Sequence, residues 1–229
     1  MAKRIDDEPI VDVGQAFSKT ELFIEQNKKT ILTIVGLIIV VIGGYYAYKN
    51  WYVAGQETEA RSKMFKAEQY FEKDSINKAM NGDKSENGLG FIQIADDYSV
   101  TPSGNLAEYY LGICYLKTGK FEDAIEHLKK FDGNDEIVSG LATAAIGDAN
   151  MELGKTDEAI SYYLKAAEQH TNNYDTPMCL KKAALANEEK GNYADAVKLY
   201  ERIKNEFPET ADGKEMEKYI ARAKTVGNL

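Results

Sequence analysis

The chain has 229 residues and a formal net charge of −9, with 37 acidic and 28 basic side chains. Residues 1–52 hold equal numbers of acidic and basic side chains, so the negative charge belongs to residues 53–229. Phosphate binding needs a basic stripe, and this balance therefore argues against nucleic acid as a partner. The 2 cysteines are too few for a disulfide framework.

An uncharged apolar run at residues 30–48 predicts a transmembrane helix near the N-terminus. At about 1.5 Å of rise per residue, it reaches roughly 28 Å, close to the hydrocarbon thickness of a bilayer. Its C-terminal end carries a cluster of aromatic residues, as membrane interfaces do: Tyr45, Tyr46, Tyr48, Trp51 and Tyr52. We therefore expect a tail at 1–29 and a transmembrane helix at 30–52, with the lipid bilayer as its surroundings.

A secretory signal peptide is the alternative interpretation of this run. Such a signal begins with a short basic region, whereas the region here is long and contains Asp6 and Asp7, which favours a permanent anchor. The lysine pair at 28–29 lies beside the run and predicts a tail on the inner side of the membrane, with the larger part of the chain outside, which in a bacterium is the periplasm. Gly36, Gly43 and Ala47 share about one helix face, where another transmembrane helix could approach closely.

Residues 53–104 predict a linker helix and a degenerate first repeat. Apolar residues at three-to-four spacing, among them Met64 and Phe71, indicate an amphipathic helix. A Gly-rich stretch at 80–90 interrupts it, and a second short helix begins at Phe91. Terminal units of a solenoid have only one neighbour and tolerate such a lengthened turn.

Residues 105–229 contain three similar segments, whose glycines Gly119, Gly154 and Gly191 recur at a spacing close to about 34 residues. Each segment has the pattern of a tetratricopeptide repeat (TPR), a helix A, a turn and a helix B. The three glycines are expected to end each helix A in a left-handed conformation. The predicted fold is all-α: one transmembrane helix, then a TPR solenoid of three clear repeats with a degenerate first repeat and a C-terminal capping helix at 213–225.

Within each repeat, the two helices are expected to approach through small side chains. The small residues of helix A are Gly112, Gly147 and Ala184, and those of helix B are Ala124, Ala159 and Ala196. A large residue recurs at one helix-B position and is expected to fill the space between units: Leu128, Tyr163 and Tyr200.

Motifs for catalysis are lacking, so the sequence predicts a protein that is not an enzyme and has no catalytic, metal or cofactor site. His127 and His170 are isolated from other ligand-type residues. Cys114 and Cys179 lie two repeats apart, too far for a disulfide, and are expected to be buried. The chain shows neither a Gly-rich phosphate loop nor a nucleophile motif.

Stacked helical hairpins expose helix A on a concave face, which suits an extended or helical polypeptide. Positions that usually face inward in helix A define the predicted groove. They are Tyr109, Ile113, Leu116, Leu141, Ala144, Asp148, Met151, Met178, Lys181, Leu185 and Glu188.

The order of tail, span and repeats resembles the ancillary subunit family of the bacterial Sec translocon. The resemblance implies a single-pass inner-membrane protein that associates with the SecYEG channel and with a membrane-anchored periplasmic chaperone of the prolyl-isomerase type. It also implies that the protein assists exported polypeptides as they emerge. The residues leave two alternatives open, an assembly scaffold of another envelope complex, for secretion or division, and a membrane-tethered enzyme.

Overall fold

The structure of the chain is a computed structural model that describes residues 13–83, 88–133 and 135–229. The chain divides into two compact units, Met1–Ala54 and Gly55–Leu229. The predicted tail at 1–29 and the predicted Gly-rich break at 80–90 lie partly outside the described residues.

The first unit contains helix α1 (Val13–Ala47), followed by a π-helical segment (Tyr48–Val53). Most of its described apolar side chains are open to the surroundings, with Ile39 64% and Val40 72% exposed. The helical run Phe23–Glu72 is long and apolar enough to cross a membrane, and none of its most apolar window is buried. A helix with no polar stripe and no covering partner is typical of a lipid-facing segment.

In the described part of the second unit, helices joined by turns and short irregular segments are the regular elements, and one isolated bridge links Asp83 with Gly88. Its helices are α2 (Ala54–Glu72), α3 (Ile76–Asn81), α4 (Phe91–Asp97), α5 (Pro102–Lys117), α6 (Phe121–Lys130), α7 (Glu136–Glu152), α8 (Thr156–Gln169), α9 (Thr176–Glu189), α10 (Tyr193–Glu206) and α11 (Ala211–Gly227). Repeat 1 is α5–α6, repeat 2 is α7–α8, and repeat 3 is α9–α10. The predicted all-α class is confirmed.

The three turn glycines end each helix A as predicted. Gly119, Gly154 and Gly191 have φ values of +75°, +72° and +80°, in the left-handed region. In repeat 1, Gly119 N–H donates to the carbonyl of Leu116 and Lys120 N–H donates to that of Tyr115, at 3.2 and 2.9 Å. The other two turns repeat this pair of bonds, which satisfies carbonyls that the helix end would leave free.

The small residues of helix A also act as predicted, because the large residue of helix B lies directly against them. A Cβ atom at Gly112 would overlap the Leu128 side chain, and one at Gly147 would stand 2.6 Å from the Tyr163 ring. Neither position has space for a methyl group. The glycine therefore fixes how closely the two helices of a repeat approach.

Helix α5 begins at Pro102, three residues before the predicted start of the repeats at residue 105. Thr101 caps it, with its hydroxyl accepting a hydrogen bond from Gly104 N–H at 3.0 Å. Proline has no N–H to lose in a first helical turn, so a Thr-Pro pair begins a helix as readily as it ends one. The short helix α3 is a further element that the sequence pattern does not predict.

Buried apolar residues form three separate clusters along the solenoid. The first joins α2, α3, α4 and α5, and the third extends from α7 to α11. Between them lies a small cluster whose buried members are Leu128, Ala142, Ala145 and Ile146. The apolar core is therefore thinnest where α6 meets α7.

Helix α11 closes the stack as the predicted capping helix. Met216 and Ala223 are buried in the third cluster. The centre of the Tyr219 ring lies 5.4 Å from the centre of the Tyr200 ring. At the end of this helix, a Cβ at Gly227 would stand 2.6 Å from Tyr193 Cβ. The last turn of α11 thus packs against the start of α10.

Candidate polypeptide-binding site

Helices α5, α7 and α9 carry the eleven residues of the predicted groove, and the structure separates them into groups. The apolar residues of α5, Tyr109, Ile113 and Leu116, are half-buried against the small cluster between α6 and α7. Leu141 is also half-buried. Ala144 is only 2% exposed, because it lies inside the third cluster. Ala144 therefore offers no surface to a partner, which corrects its assignment to the groove.

One cleft brings three of the predicted residues together. Leu116 of repeat 1 faces Asp148 and Met151 of repeat 2 across a space of about 540 Å³, and the exposed Glu152 lies on its rim. Phe121 also lines this space, which we call the A-face cleft. The lining combines apolar and charged side chains, and its flexible methionine can accommodate partner side chains of different shapes.

The predicted groove residues of repeat 3 are less open. Met178 is half-buried against the third cluster, whereas Leu185 is 40% exposed. Lys181 Nζ donates to Asp212 Oδ1 at 2.7 Å and lies 4.9 Å from the centre of the Tyr219 ring. Helix α11 thus occupies much of the face that α9 would otherwise present.

The charged groove residues serve mainly as links between successive units. Asp148 accepts hydrogen bonds from the Tyr163 hydroxyl at 2.7 Å and from Lys182 Nζ at 2.6 Å. Glu188 Oε2 accepts one from Arg222 Nη2 at 2.8 Å. Both acid–base pairs are 34 residues apart, one repeat period. The sequence analysis missed Lys182 and Arg222, although opposite charges at this separation were a usable signal.

Burial and the nearby Asp148 carboxylate raise the pKa of Tyr163 well above its usual range. The phenol therefore keeps its proton and remains a hydrogen-bond donor to Asp148 at physiological pH. Tyr163 and its partners consequently form a fixed polar contact between α7, α8 and α9, and this contact is a structural one.

Other side chains of the kinds that can react or bind a metal ion also have structural contacts. His127 Nδ1 lies 2.6 Å from Glu108 Oε2, and its ring stacks on Tyr115 with 5.0 Å between centroids. Cys114 and Cys179 are buried free thiols, and burial raises the pKa of each to about 12. Among the residues that the structure describes, no group of three or more His, Cys, Asp or Glu could hold a metal ion.

Comparison with known structures supports the repeat architecture. The chain superimposes on the crystal structure of a Podosopora anserina kinesin light chain protein with nearly identical TPR-like repeats, at a TM-score of 0.57 and 17% identity. The match covers 75% of this chain and 88% of that chain. A single-substitution variant of the same protein matches with the same TM-score and identity, over 87% of its length. At this identity, the likeness shows the fold alone.

Sequence comparison adds a family. No curated protein matches the chain. The family described as the N-terminal domain of the type VII (ESX-1) secretion system protein EccA1 matches residues 78–218, from α3 to α11. This match takes in every described repeat and more than half of the chain. The chain therefore belongs to the family of EccA1 N-terminal domains, whose repeats are TPR-like.

Proposed function

We propose that the protein is a membrane-anchored scaffold that binds other polypeptides through its helical repeats. The observation that carries this proposal is the presence, in one chain, of an uncovered apolar helix and a repeat stack with an open A-face cleft. The first suits lipid and the second suits a polypeptide with apolar side chains.

The finer proposal follows the resemblance to the ancillary Sec subunit. In it, the protein is a single-pass protein of a bacterial inner membrane, with its repeats in the periplasm. Its partners would be the SecYEG channel, a membrane-anchored prolyl-isomerase-type chaperone and exported polypeptides. It acts by contact, without catalysis or a cofactor.

A second candidate is an assembly scaffold of a different secretion complex. The match to a type VII secretion component favours this candidate, because that family name comes from a secretion system. Both candidates require the same anchor and the same repeats, and they differ in the proteins that contact the A-face cleft.

Site-specific photocrosslinking in native membranes tests these proposals. A photoreactive residue at Met151 lies in the A-face cleft, and one at the exposed Lys198 of α10, which lines neither cleft between repeats 1 and 2, serves as the control. We expect crosslinks to exported polypeptides or channel subunits from position 151 and not from position 198. Crosslinks to components of another secretion machine would support the second candidate, and equal crosslinking from both positions would contradict both.

The anchor can be tested separately. Gly36 and Gly43 have open space where a Cβ would lie, and a close helix–helix contact requires such small residues. Gly36→Leu with Gly43→Leu should abolish co-purification with channel subunits in mild detergent. The control is Gly44→Leu, on a different face of the same helix. A reporter fused after Leu229 must also report a periplasmic C-terminus.

A further inference from the structure

The junction between repeats 1 and 2 differs from the junction that follows it in its polar contacts. Repeats 2 and 3 are joined by Asp148 with Lys182 and by Asp157 with Lys190. Across the described side chains of residues 102–133 and 135–169, no hydrogen bond or ion pair connects repeat 1 to repeat 2. The small apolar cluster between α6 and α7 is the main contact.

A cleft opens at this junction, on the side formed by α6, α7 and α8. Its volume is about 330 Å³. Leu128 and Phe131 line it from repeat 1, and Ala142 and Ile146 line it from repeat 2. We call it the lysine cleft, because Lys129 and Lys165 also line it. It shares no lining residue with the A-face cleft.

The two lysines give this cleft a positive charge in a chain whose net charge is −9. Both side chains are exposed, and neither forms an ion pair with a described side chain. Lys129 Nζ lies 6.0 Å from the centre of the Tyr162 ring, across the junction. Asp132 is the carboxylate of the cleft lining and reduces its positive charge.

We propose that the lysine cleft is a second docking site, and that it takes an acidic segment of a partner protein that inserts one apolar side chain. The apolar side chain would contact the half-buried rings of Phe131 and Tyr162, because Leu128 and Ile146 are only 2% and 5% exposed. Flanking carboxylates would pair with Lys129 and Lys165, whose charges are unpaired within the described part of the chain. The site lies outside the A-face cleft of the proposed function. Its lysines would attract an acidic partner, whereas the net negative charge of the chain as a whole would attract a basic one.

The alternative of a free phosphate fits the geometry less well. Helix N-termini bind phosphate through free backbone N–H groups. At α7, the N–H groups of Ile137 and Val138 already donate to Asp135 Oδ1, at 2.9 and 2.8 Å. A phosphate would also make no apolar contact with the half-buried rings of Phe131 and Tyr162. A polypeptide with both charge and an apolar side chain satisfies both parts of the site.

An occupant of the lysine cleft would contact both repeats at once. Because no hydrogen bond or ion pair between described side chains crosses this junction, binding there would hold repeat 1 and repeat 2 together. Backbone amides of α6 and α7 should consequently exchange their hydrogens more slowly in the complex. Slower exchange in these two helices requires the peptide to bind at the junction. A peptide that charge alone attracts to another part of the surface would not produce it.

The test uses the full chain in detergent and a labelled synthetic peptide with a central leucine flanked by glutamates. Two matched peptides carry glutamine in place of glutamate, or serine in place of leucine. We expect the first peptide to bind with a salt-dependent affinity and the other two to bind at least about tenfold more weakly. Slower exchange should appear in α6 and α7 with the first peptide.

Variants of the chain give effects of opposite sign. Lys129→Gln with Lys165→Gln should weaken binding about tenfold, whereas Asp132→Asn should strengthen it, because the rim loses its negative charge. Lys73→Gln with Lys155→Gln is the matched control, since these exposed lysines also lack an ion-pair partner among described side chains but lie elsewhere. The control should bind as the unchanged chain does.

Several outcomes would overturn the proposal. They are the absence of binding by a chain with unchanged circular dichroism, equal binding of the glutamine peptide, and an equal loss in the control variant. Complete displacement of the peptide by inorganic phosphate at low millimolar concentration would assign the cleft to free anions instead.

Discussion

At Gly147, a hydrogen atom in place of a methyl group lets the Tyr163 ring lie directly against α7. The same relation holds between Gly112 and Leu128 in repeat 1. Aromatic and aliphatic side chains of helix B therefore reach the backbone of helix A, and the pair sets the distance between the two helices. In each of these two repeats, the residue that limits the distance between the helices is thus a glycine.

Gly147→Ala should destabilise the repeats by about 1–3 kcal/mol, because the added methyl group forces the Tyr163 ring away from α7. Urea unfolding of the full chain in detergent, followed by circular dichroism, measures this change. Gly55→Ala is the control, since a Cβ at Gly55 meets nothing within 4 Å. Equal stability of the Gly147→Ala variant and the unchanged chain would show that the close contact has no energetic importance.

Asp135 gives a residue-scale prediction that depends on pH. The N–H groups of Val138 and Ile137 donate to its carboxylate and lower its pKa below the ordinary value. A lowered folded-state pKa gives stability that is present above the unfolded-state pKa and is lost as the pH falls through the folded-state pKa.

Asp135→Asn keeps a capping oxygen but removes the charge. We therefore expect the variant to be less stable than the unchanged chain at pH 7 and the difference to shrink as the pH falls below about 4. Thermal unfolding of both proteins at several pH values measures it. A difference that is constant or grows on acidification would contradict the assignment of the cap to the ionised carboxylate.

At the scale of helices, the charged residues of α9 hold neighbouring units in place. Lys182 reaches back to α7, while Lys181 and Glu188 reach forward to α11. Side chains that would be expected to recognise a ligand are thus used to orient the next helix. This is the reason that α9 contributes little open surface to the predicted groove.

A double-mutant cycle with Asp148→Ala and Lys182→Ala should give a coupling energy of about 1 kcal/mol, because both side chains are about one-third exposed and share Tyr163. The exposed pair of Asp74 and Lys117 provides the comparison, with an expected coupling of about 0.5 kcal/mol or less. Equal coupling in the two cycles would mean that the Asp148 contact does not orient α9.

The sequence predicts the helical hairpins well, but it predicts poorly which residues of neighbouring units contact each other. The reason is physical. Turn glycines such as Gly154, and small residues such as Gly147, act within one repeat, so their pattern is visible along the chain. The ion pairs of Asp148 and the burial of Ala144 depend on the next unit. The helical start at Pro102 was missed because the local signal for beginning and ending a helix is similar there.

At the scale of the whole chain, the three apolar clusters divide the solenoid into parts of unequal cohesion. Repeat proteins are stabilised by contacts between neighbouring units, so a weak interface between two units separates their unfolding. We expect residues 55–133 and 135–229 to lose protection at different urea concentrations.

Hydrogen exchange with mass spectrometry at increasing urea concentration measures this separation. Phe131→Ala removes an aromatic side chain from the junction and should widen the interval between the two transitions. The matched change Phe207→Ala lies in the third cluster. It should lower the urea concentration at which residues 135–229 lose protection without lowering that of residues 55–133. A single transition for all helices would contradict the division at the α6–α7 junction.

The weakly linked junction would also have a mechanical consequence in the membrane-anchored scaffold that we propose. If the C-terminal repeats bind a moving polypeptide, the tension runs through every unit in series, and the interface held mainly by apolar contact yields first. Repeats 2 and 3 would then move away from repeat 1 with their own hairpins intact. The A-face cleft, which residues of repeats 1 and 2 line together, would open, and a segment bound there would be released under load.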